Sequence, residues 1–309
     1  VPLHRQRLGQ QDQIVEARGF HGVMLSCRAM EEDGPAQTLA AALRKVGSGL
    51  VVVVTGAGVS AASGLPLFRG TDPDAVWNRD VTEIGTFGFF ARDPVTWWQW
   101  FRRSFDGLLD ARPNAAHHAL AALEHWQLAR GGDFLLITQN VDTLHEQAGS
   151  QRLVKVHGSA DRLRCSRNGC TLGAPTGSLP AGDVDFTPFA NDPRRETLPR
   201  CPQCGALLRA HALLFDEFYD EHADYGFSRV RQAMERMALA VFAGTSFSVG
   251  VTDLVLREAL GWKLPVVSID PAARPPAPGV TMVQAGAEDV LPEACRKLGA
   301  DLAVGLQGH

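Results

Sequence analysis

Leu50-Val51-Val52-Val53-Val54 runs directly into Thr55-Gly56-Ala57-Gly58-Val59-Ser60-Ala61. An unbroken aliphatic run, rich in β-branched residues, has no polar face to turn to water. It predicts a strand buried on both sides of a parallel sheet. Gly56 and Gly58 then permit a tight turn and a close backbone approach. Exposed N–H groups at a following helix start favour a diphosphate there. A plain strand-exit turn fits the same residues. A hydride-transferring dehydrogenase fits poorly. Pro66 comes only eight residues after Gly58 and stops the usual long helix. The acidic residues near the ribose-reading distance, Asp72 and Asp74, fall in a loop containing Gly and Pro rather than at a strand end.

The same alternation recurs outward from this stretch. Helices are predicted over Thr38–Val46, Ala115–Trp126, Arg229–Met237, Leu254–Leu260 and Ala287–Leu298. Buried strands are predicted over Phe134–Thr138, Leu239–Ala243 and Val266–Ile269. Strands alternating with helices imply an α/β fold, a Rossmann-like doubly wound parallel sheet. The pattern breaks between Val156 and about Tyr219, where the chain is rich in Pro and Arg. The expected organisation is a flexible N-terminal extension over 1–35, a large domain over 36–156 and 220–309, and a small inserted module over 157–219.

That module carries Cys165-x4-Cys170 and, 30 residues on, Cys201-x2-Cys204. Two close thiol pairs suit a tetrahedral zinc. A shell closed by Cys165, Cys170, Cys201 and Cys204 leaves no open position, so such a zinc is structural rather than catalytic.

Composition excludes several classes. The chain has 309 residues, 21% charged and 45% hydrophobic, with a net charge of −4. That balance argues against a strongly basic nucleic-acid binder. The longest aliphatic run is far short of the ~18 residues of a membrane span. No secretory leader is expected, because no basic-then-apolar-then-small pattern opens the chain. Six cysteines in a chain this long are too few for a disulfide scaffold. A cytoplasmic monomer without nucleic-acid or membrane partners is the expectation.

Further candidate residues sit where open α/β sheets bind ligands, outside the strand carboxyl ends. Gln139, Asn140 and Asp142 follow the second strand and can hydrogen-bond ribose and an amide, although helix capping by Asn140 or Asp142 is an equally simple use. His145 nearby reads as a helix-surface histidine more readily than a catalytic one. Val156-His157-Gly158-Ser159 lies at the junction of domain and module, where a His can act as a general base or be merely structural. Gly244-Thr245-Ser246 offers N–H groups and hydroxyls to a phosphate, or is a simple turn.

In order and together, these motifs resemble the sirtuin family of NAD-dependent protein deacylases, over roughly Leu39–Leu298. The residues that carry the resemblance are Gly56–Gly70 (GAGVSAASGLPLFRG), Thr138–Gly149 (TQNVDTLHEQAG), VHGS, GTS and the Cys pairs. The resemblance implies NAD as a consumed cosubstrate, a structural zinc and acyl-lysine proteins or peptides as substrates. It implies NAD contacts from Gly56, Ala57, Gly58, Ser60, Phe68, Arg69, Gln139, Asn140, Asp142, Gly244, Thr245, Ser246, Asp270 and Ala287. His157 would be the catalytic base, with Asn140 beside it in the catalytic set. The reaction would be removal of acetyl or longer neutral acyl groups from lysine, giving nicotinamide and O-acyl-ADP-ribose, a transferase or hydrolase chemistry. A mono-ADP-ribosyltransferase or NAD hydrolase, and a non-catalytic NAD or ADP-ribose sensor, are the alternatives on the same scaffold.

Departures from the family pattern are Leu67 in place of a common Asp, Asp270 in place of a common Asn, and Asp216 in place of a Gly. The last is expected to narrow or reshape the acyl-peptide channel. Gln99-Trp100-Phe101-Arg102 stands where a Tyr-x-x-Arg pair holds acidic acyl groups in the desuccinylase class. It keeps Arg102 but lacks the Tyr, and the aromatic run Trp97–Phe101 is expected to pack mainly as core.

Overall fold

The computed structural model describes residues 34–67, 81–247, 250–272 and 275–303. By internal contacts the chain divides into Val1–Gly34 and Pro35–His309. The architecture that follows is that of the second unit, and residues 1–33 of the expected extension lie outside the described residues. In chain order the described strands are β1 (Leu50–Thr55), β2 (Asp133–Thr138), β3 (Leu153–Lys155), β4 (Gly158–Cys165), β5 (Leu179–Pro180), β6 (Leu208–Ala212), β7 (Met237–Ala243), β8 (Val266–Ile269) and β9 (Val280–Val283).

The large sheet has six strands in the order β3-β2-β1-β7-β8-β9, with every pair parallel. β1 lies between β2 and β7, so the chain reverses its winding direction there. That is the topological switch point at which open α/β sheets form a ligand crevice. The all-apolar β1 follows from this central place. Val51 and Val53 join a core shared with the helices Pro35–Val46, Ala115–Ala129 and Ala287–Leu298. Val52 and Val54 point to the other face, among residues of Phe227–Met234 and Gly250–Gly261. Each buried Val contributes about 1.5–3 kcal/mol relative to exposure, and a polar residue at any of these positions would meet apolar neighbours on either side.

The predicted elements are present with shifted ends. Pro35–Val46 and Gly250–Gly261 each begin earlier than the periodicity indicates, and Phe227–Met234 ends earlier because Met237 already belongs to β7. β3 and β9 have no counterpart in the sequence reading. Both are edge strands with partly exposed residues, so neither shows the continuous apolar run of the central strands.

The second sheet is small and antiparallel, in the order β5-β4-β6. Its core does not come from the inserted stretch alone. Phe90, Trp97, Trp98 and Phe101 pack with Leu163, Phe189, Leu208 and Ala210 in one cluster. The Pro94–Phe105 helix thereby braces the small sheet, and the Trp98 indole donates to the Leu208 carbonyl at 3.0 Å. No described helix is long and apolar enough to cross a membrane.

Candidate active site

The segments that leave β1, β2, β7 and β8 at their carboxyl ends converge on one cleft of about 1030 Å³. Gly56, Ala57, Gly58 and Ser60 line it from β1, and Gln139, Asn140 and Asp142 from β2. Gly244, Thr245 and Ser246 line it from β7, Asp270 from β8, and Ala287 from the start of the last helix. His157 lines the same cleft. Phe68 and Arg69 lie outside the described residues.

Backbone packing explains the glycines. A Cβ on Gly56 would stand 2.8 Å from the Gly244 carbonyl oxygen, and one on Gly58 would stand 2.7 Å from the Gly244 Cα. The Gly58 N–H donates to the Gly244 carbonyl at 2.9 Å, and that of Gly56 to Ala243 at 3.3 Å. These glycines therefore clamp the β1 and β7 turns together, forming the floor of the cleft by backbone-to-backbone contact.

Ser60 is the centre of the polar wall. Its hydroxyl donates to Asp142 Oδ2 at 2.9 Å and accepts from Asn140 Nδ2 at 3.0 Å. Asn140 Nδ2 also donates to the Gly56 carbonyl, and Gln139 Nε2 bonds Thr245 Oγ1 at 3.1 Å. Asp142 is buried and also accepts from the Leu144 N–H, so helix-start support and Ser60 positioning coexist in it. Behind this wall the rings of His117 and His145 stand 4.7 Å apart. His145 is buried and contacts Thr55 Oγ1 at 3.1 Å, so the helix-surface reading of it is corrected. Burial lowers the His117 imidazole to about 4 and that of His145 well below its ordinary value.

His157 is half-buried at the other end of the cleft. Its Nδ1 lies 2.8 Å from the Gln139 carbonyl oxygen, which can only accept, so Nδ1 carries the proton. Nε2 is thereby left with its lone pair. Burial pulls the imidazole down to about 4, so the ring is neutral at neutral pH and ready to take a proton. The Tyr219 hydroxyl stands 3.5 Å from Nε2 and its ring lies 5.9 Å away, nearly parallel. Tyr219 had no motif to mark it; only the tertiary approach brings it to His157.

The loop after β6 closes the cleft. The Leu213 N–H donates to the His157 carbonyl at 2.9 Å, and that of Phe215 to Gly85 at 3.0 Å. The Glu217 carboxylate locks the loop from behind, accepting from Arg164 at 2.7 Å, from Arg209 and from the Leu214 N–H at 2.9 Å. Asp216, expected to narrow or reshape the channel, is not among the cleft-lining residues. Its carboxylate accepts from the N–H groups of Phe87 at 2.6 Å and Gly88 at 3.0 Å, and Thr86 takes that of Phe89. Asp216 thus caps the Phe87–Arg92 helix, where a negative charge also complements the helix dipole.

The aromatic run divides between two roles. Trp97 and Trp98 are buried in the core, as expected, whereas Trp100 and Phe101 line the cleft with Ser104, Phe105 and Leu108. Arg102 points elsewhere, with its guanidinium over the Phe186 ring at 5.8 Å, and is not among the cleft-lining residues.

In the small sheet the Cys165 and Cys204 sulfurs lie 3.4 Å apart, and those of Cys170 and Cys201 3.7 Å. Tetrahedral Zn–S bonds of ~2.3 Å require sulfurs about 3.8 Å apart, so the quartet fits zinc. The Ala206 N–H lowers the Cys204 thiol to about 7, toward the thiolate a metal needs, while burial raises that of Cys165.

Comparison with known proteins gives a consistent result. The model of the Sir2 family matches residues 56–251. An NAD-dependent protein deacylase of Thermus thermophilus is 36% identical, with 74% of this chain and 82% of that protein covered. NAD-dependent protein deacylase 2 of Pyrobaculum aerophilum is 33% identical, with 78% and 88% covered. Among solved structures, a Sir2 homolog–NAD complex superposes with a TM-score of 0.67 at 32% identity, over 84% of this chain and 93% of that one. A Sir2 homologue variant in complex with ADP-ribose gives 0.70 at 31% identity, over 87% and 98%. The matched residues run from the glycine turn after β1 to the helix after β7, a span that supplies most of the cleft lining, and the chain belongs to the Sir2 family.

Proposed function

We propose that this chain is an NAD-dependent protein-lysine deacylase that takes acetyl or longer neutral acyl groups in preference to succinyl. The observation that carries the reading is one cleft in which the strand-end polar wall, the neutral His157 imidazole and an apolar wall meet. The relatives named as NAD-dependent deacylases support it. The cleft's volume sits at the upper limit of the range for cofactor pockets. Bound NAD would supply a ribose carbon whose bond to nicotinamide is exchanged for one to the acyl oxygen; with water, the products are free lysine, nicotinamide and O-acyl-ADP-ribose.

The residues of this chain have distinct tasks in that scheme. Gly56, Ala57, Gly58 and Ser60, with Gly244, Thr245 and Ser246, hold the diphosphate side. Gln139, Asn140 and Asp142 face the nicotinamide ribose, and Asp270 and Ala287 the adenosine. Phe68 and Arg69 keep the role the resemblance implies. His157 takes a ribose hydroxyl proton at Nε2, with Asn140 completing the catalytic pair. The Leu213–Phe215 loop holds the peptide beside the exposed Phe218, and the closed Cys quartet holds a structural zinc. Thiols kept as metal ligands suit the reducing cytoplasm.

Acyl choice follows from the wall opposite the strand ends. Trp100, Phe101, Phe105 and Leu108 are apolar, and Arg102 is turned to Phe186. Each methylene buried there is worth ~0.8 kcal/mol. Otherwise identical acetyl-, butyryl- and succinyl-lysine peptides incubated with NAD and read by mass spectrometry test the proposal. Butyryl turnover equal to or above acetyl, with weak succinyl turnover, is expected. A succinyl preference overturns the acyl assignment. ADP-ribosylated protein or free ADP-ribose with no deacylated peptide overturns the deacylase itself, and no nicotinamide release at all points to a sensor.

A further inference from the structure

Three metal-ligating side chains meet outside the cleft and outside the cysteine quartet. They are His211 on β6, and His222 and Asp224 in the turn that leads back to the large sheet. One ligand atom of each lies within 4.8 Å of the other two.

His211 is the unusual member. It is buried, and neither ring nitrogen has a hydrogen-bond partner. Its Nε2 stands 3.2 Å from Asp224 Oδ2 without the alignment of a hydrogen bond. Buried polar atoms in native folds are almost always satisfied, and an orphan pair on one ring calls for a missing water or ion. His222 is arranged as metal-bound histidines are. Its Nε2 sits 3.1 Å from the Gly177 carbonyl, an acceptor only, which places the proton on Nε2 and the lone pair on Nδ1. That Nδ1 faces Asp224 Oδ2 at 3.8 Å. Imidazole and carboxylate donors at ~2.0–2.2 Å from a tetrahedral ion stand about 3.3–3.5 Å apart, close to the two distances present. Two hydrogen bonds would yield on binding: the Asp224 N–H donates to His222 Nδ1 at 3.2 Å, and the Ser178 hydroxyl donates to Asp224 Oδ2 at 3.2 Å. Asp224 is half-exposed and supplies the entry path and room for a fourth, water ligand. The neighbouring cations are already engaged: Arg164 pairs with Glu217, and Arg162 donates to Ser178.

We propose that His211, His222 and Asp224 form a second divalent-metal site, of the two-imidazole, one-carboxylate class that holds zinc with a water in the fourth position. The ion ties β6 of the small sheet to the segment that follows Tyr219, so it clips the substrate loop at both ends. None of the three residues lines the cleft, so the role is structural.

The test uses protein brought to one zinc per chain, so that only the cysteine quartet is filled, and then titrated with cobalt(II). The wild type should take up one equivalent with a d–d spectrum that lacks thiolate charge-transfer intensity, because no sulfur ligates there. Asp224→Ala and His211→Gln should each weaken that equivalent at least tenfold while zinc in the cysteine quartet, measured by elemental analysis, stays at one per chain. Two outcomes overturn the proposal: no sulfur-free cobalt equivalent in the wild type, or its retention at full affinity in the folded Asp224→Ala protein. Asp224 is half-exposed, so that variant is expected to fold even where His211→Gln does not; circular dichroism verifies it.

Discussion

His157 combines a fixed tautomer with a lowered proton affinity, and the two have separate consequences. The Gln139 carbonyl orients the ring, and burial keeps it neutral. His157→Ala should therefore cut deacylation by ~10²–10⁴-fold, the usual contribution of a general base, while NAD binding by calorimetry stays within a few-fold. Deacylation close to wild type would remove the imidazole from the reaction. The lowered value also sets the acid limb of the pH profile. A base works when deprotonated, so kcat/KM per folded molecule should hold through the ordinary histidine value of 6.5 and fall only on approach to about 4. A limb at 6.5 would mean that the ring is solvated in the working enzyme. Tyr219, which shares this corner, was invisible in the sequence because its place depends on the fold of the loop, not on local spacing. The strand-end residues were legible, since their chemistry and their position after an apolar run coincide.

At the scale of elements, the substrate loop is fixed by charge as well as by the buried Leu214. Asp216 caps the Phe87–Arg92 helix and Glu217 holds Arg164 and Arg209. Replacing Asp216 by Gly, the residue commonly found there in the family pattern, removes two acceptors from a helix start. A cost of ~1 kcal/mol is expected, which is a fall of about 2–4 °C in Tm. The loosened loop should raise KM for peptide and leave KM for NAD unchanged; an equal rise in both would place Asp216 in the nucleotide site instead. The cysteine quartet anchors the other end of the small sheet. Cys201→Ser should lose the zinc, seen by elemental analysis, and destabilise that sheet, because the metal organises its fold. Retained zinc in that variant would break the four-thiolate assignment. The central strands and the thiol pairs were readable before the structure because burial on both faces and ligand spacing leave strong local marks. The edge strands β3 and β9 and the helices over 81–92 were not, since their partners lie far along the chain and their exposed faces dilute the pattern.

Across the whole molecule the buried histidines set the response to acid. His117 and His157 are lowered to about 4, and His145 is also lowered, each mainly by burial. In the unfolded chain each returns to about 6.5. Between these values the unfolded state binds more protons than the folded one, so stability decreases as pH falls. The stabilisation is complete above 6.5 and is lost progressively down to about 4. A gap of ~2.5 units is worth ~3 kcal/mol per imidazole. Two such groups already rival the 5–15 kcal/mol that holds a typical domain folded. Glu124 and Glu217 act in the opposite direction, because burial raises their carboxyl groups, and they offset part of the loss. The net expectation is a protein stable from neutral pH upward that loses stability steeply between pH 6.5 and 4. Urea unfolding at a series of pH values, followed by circular dichroism, measures the slope directly. The Ser60–His117 contact lies behind the nucleotide wall at 3.5 Å, so His117→Asn removes one titrating group and should flatten that slope. Stability unchanged from pH 7 to 5 would show that these rings reach water in the folded state, and the dry wall behind the cleft would have to be abandoned with it.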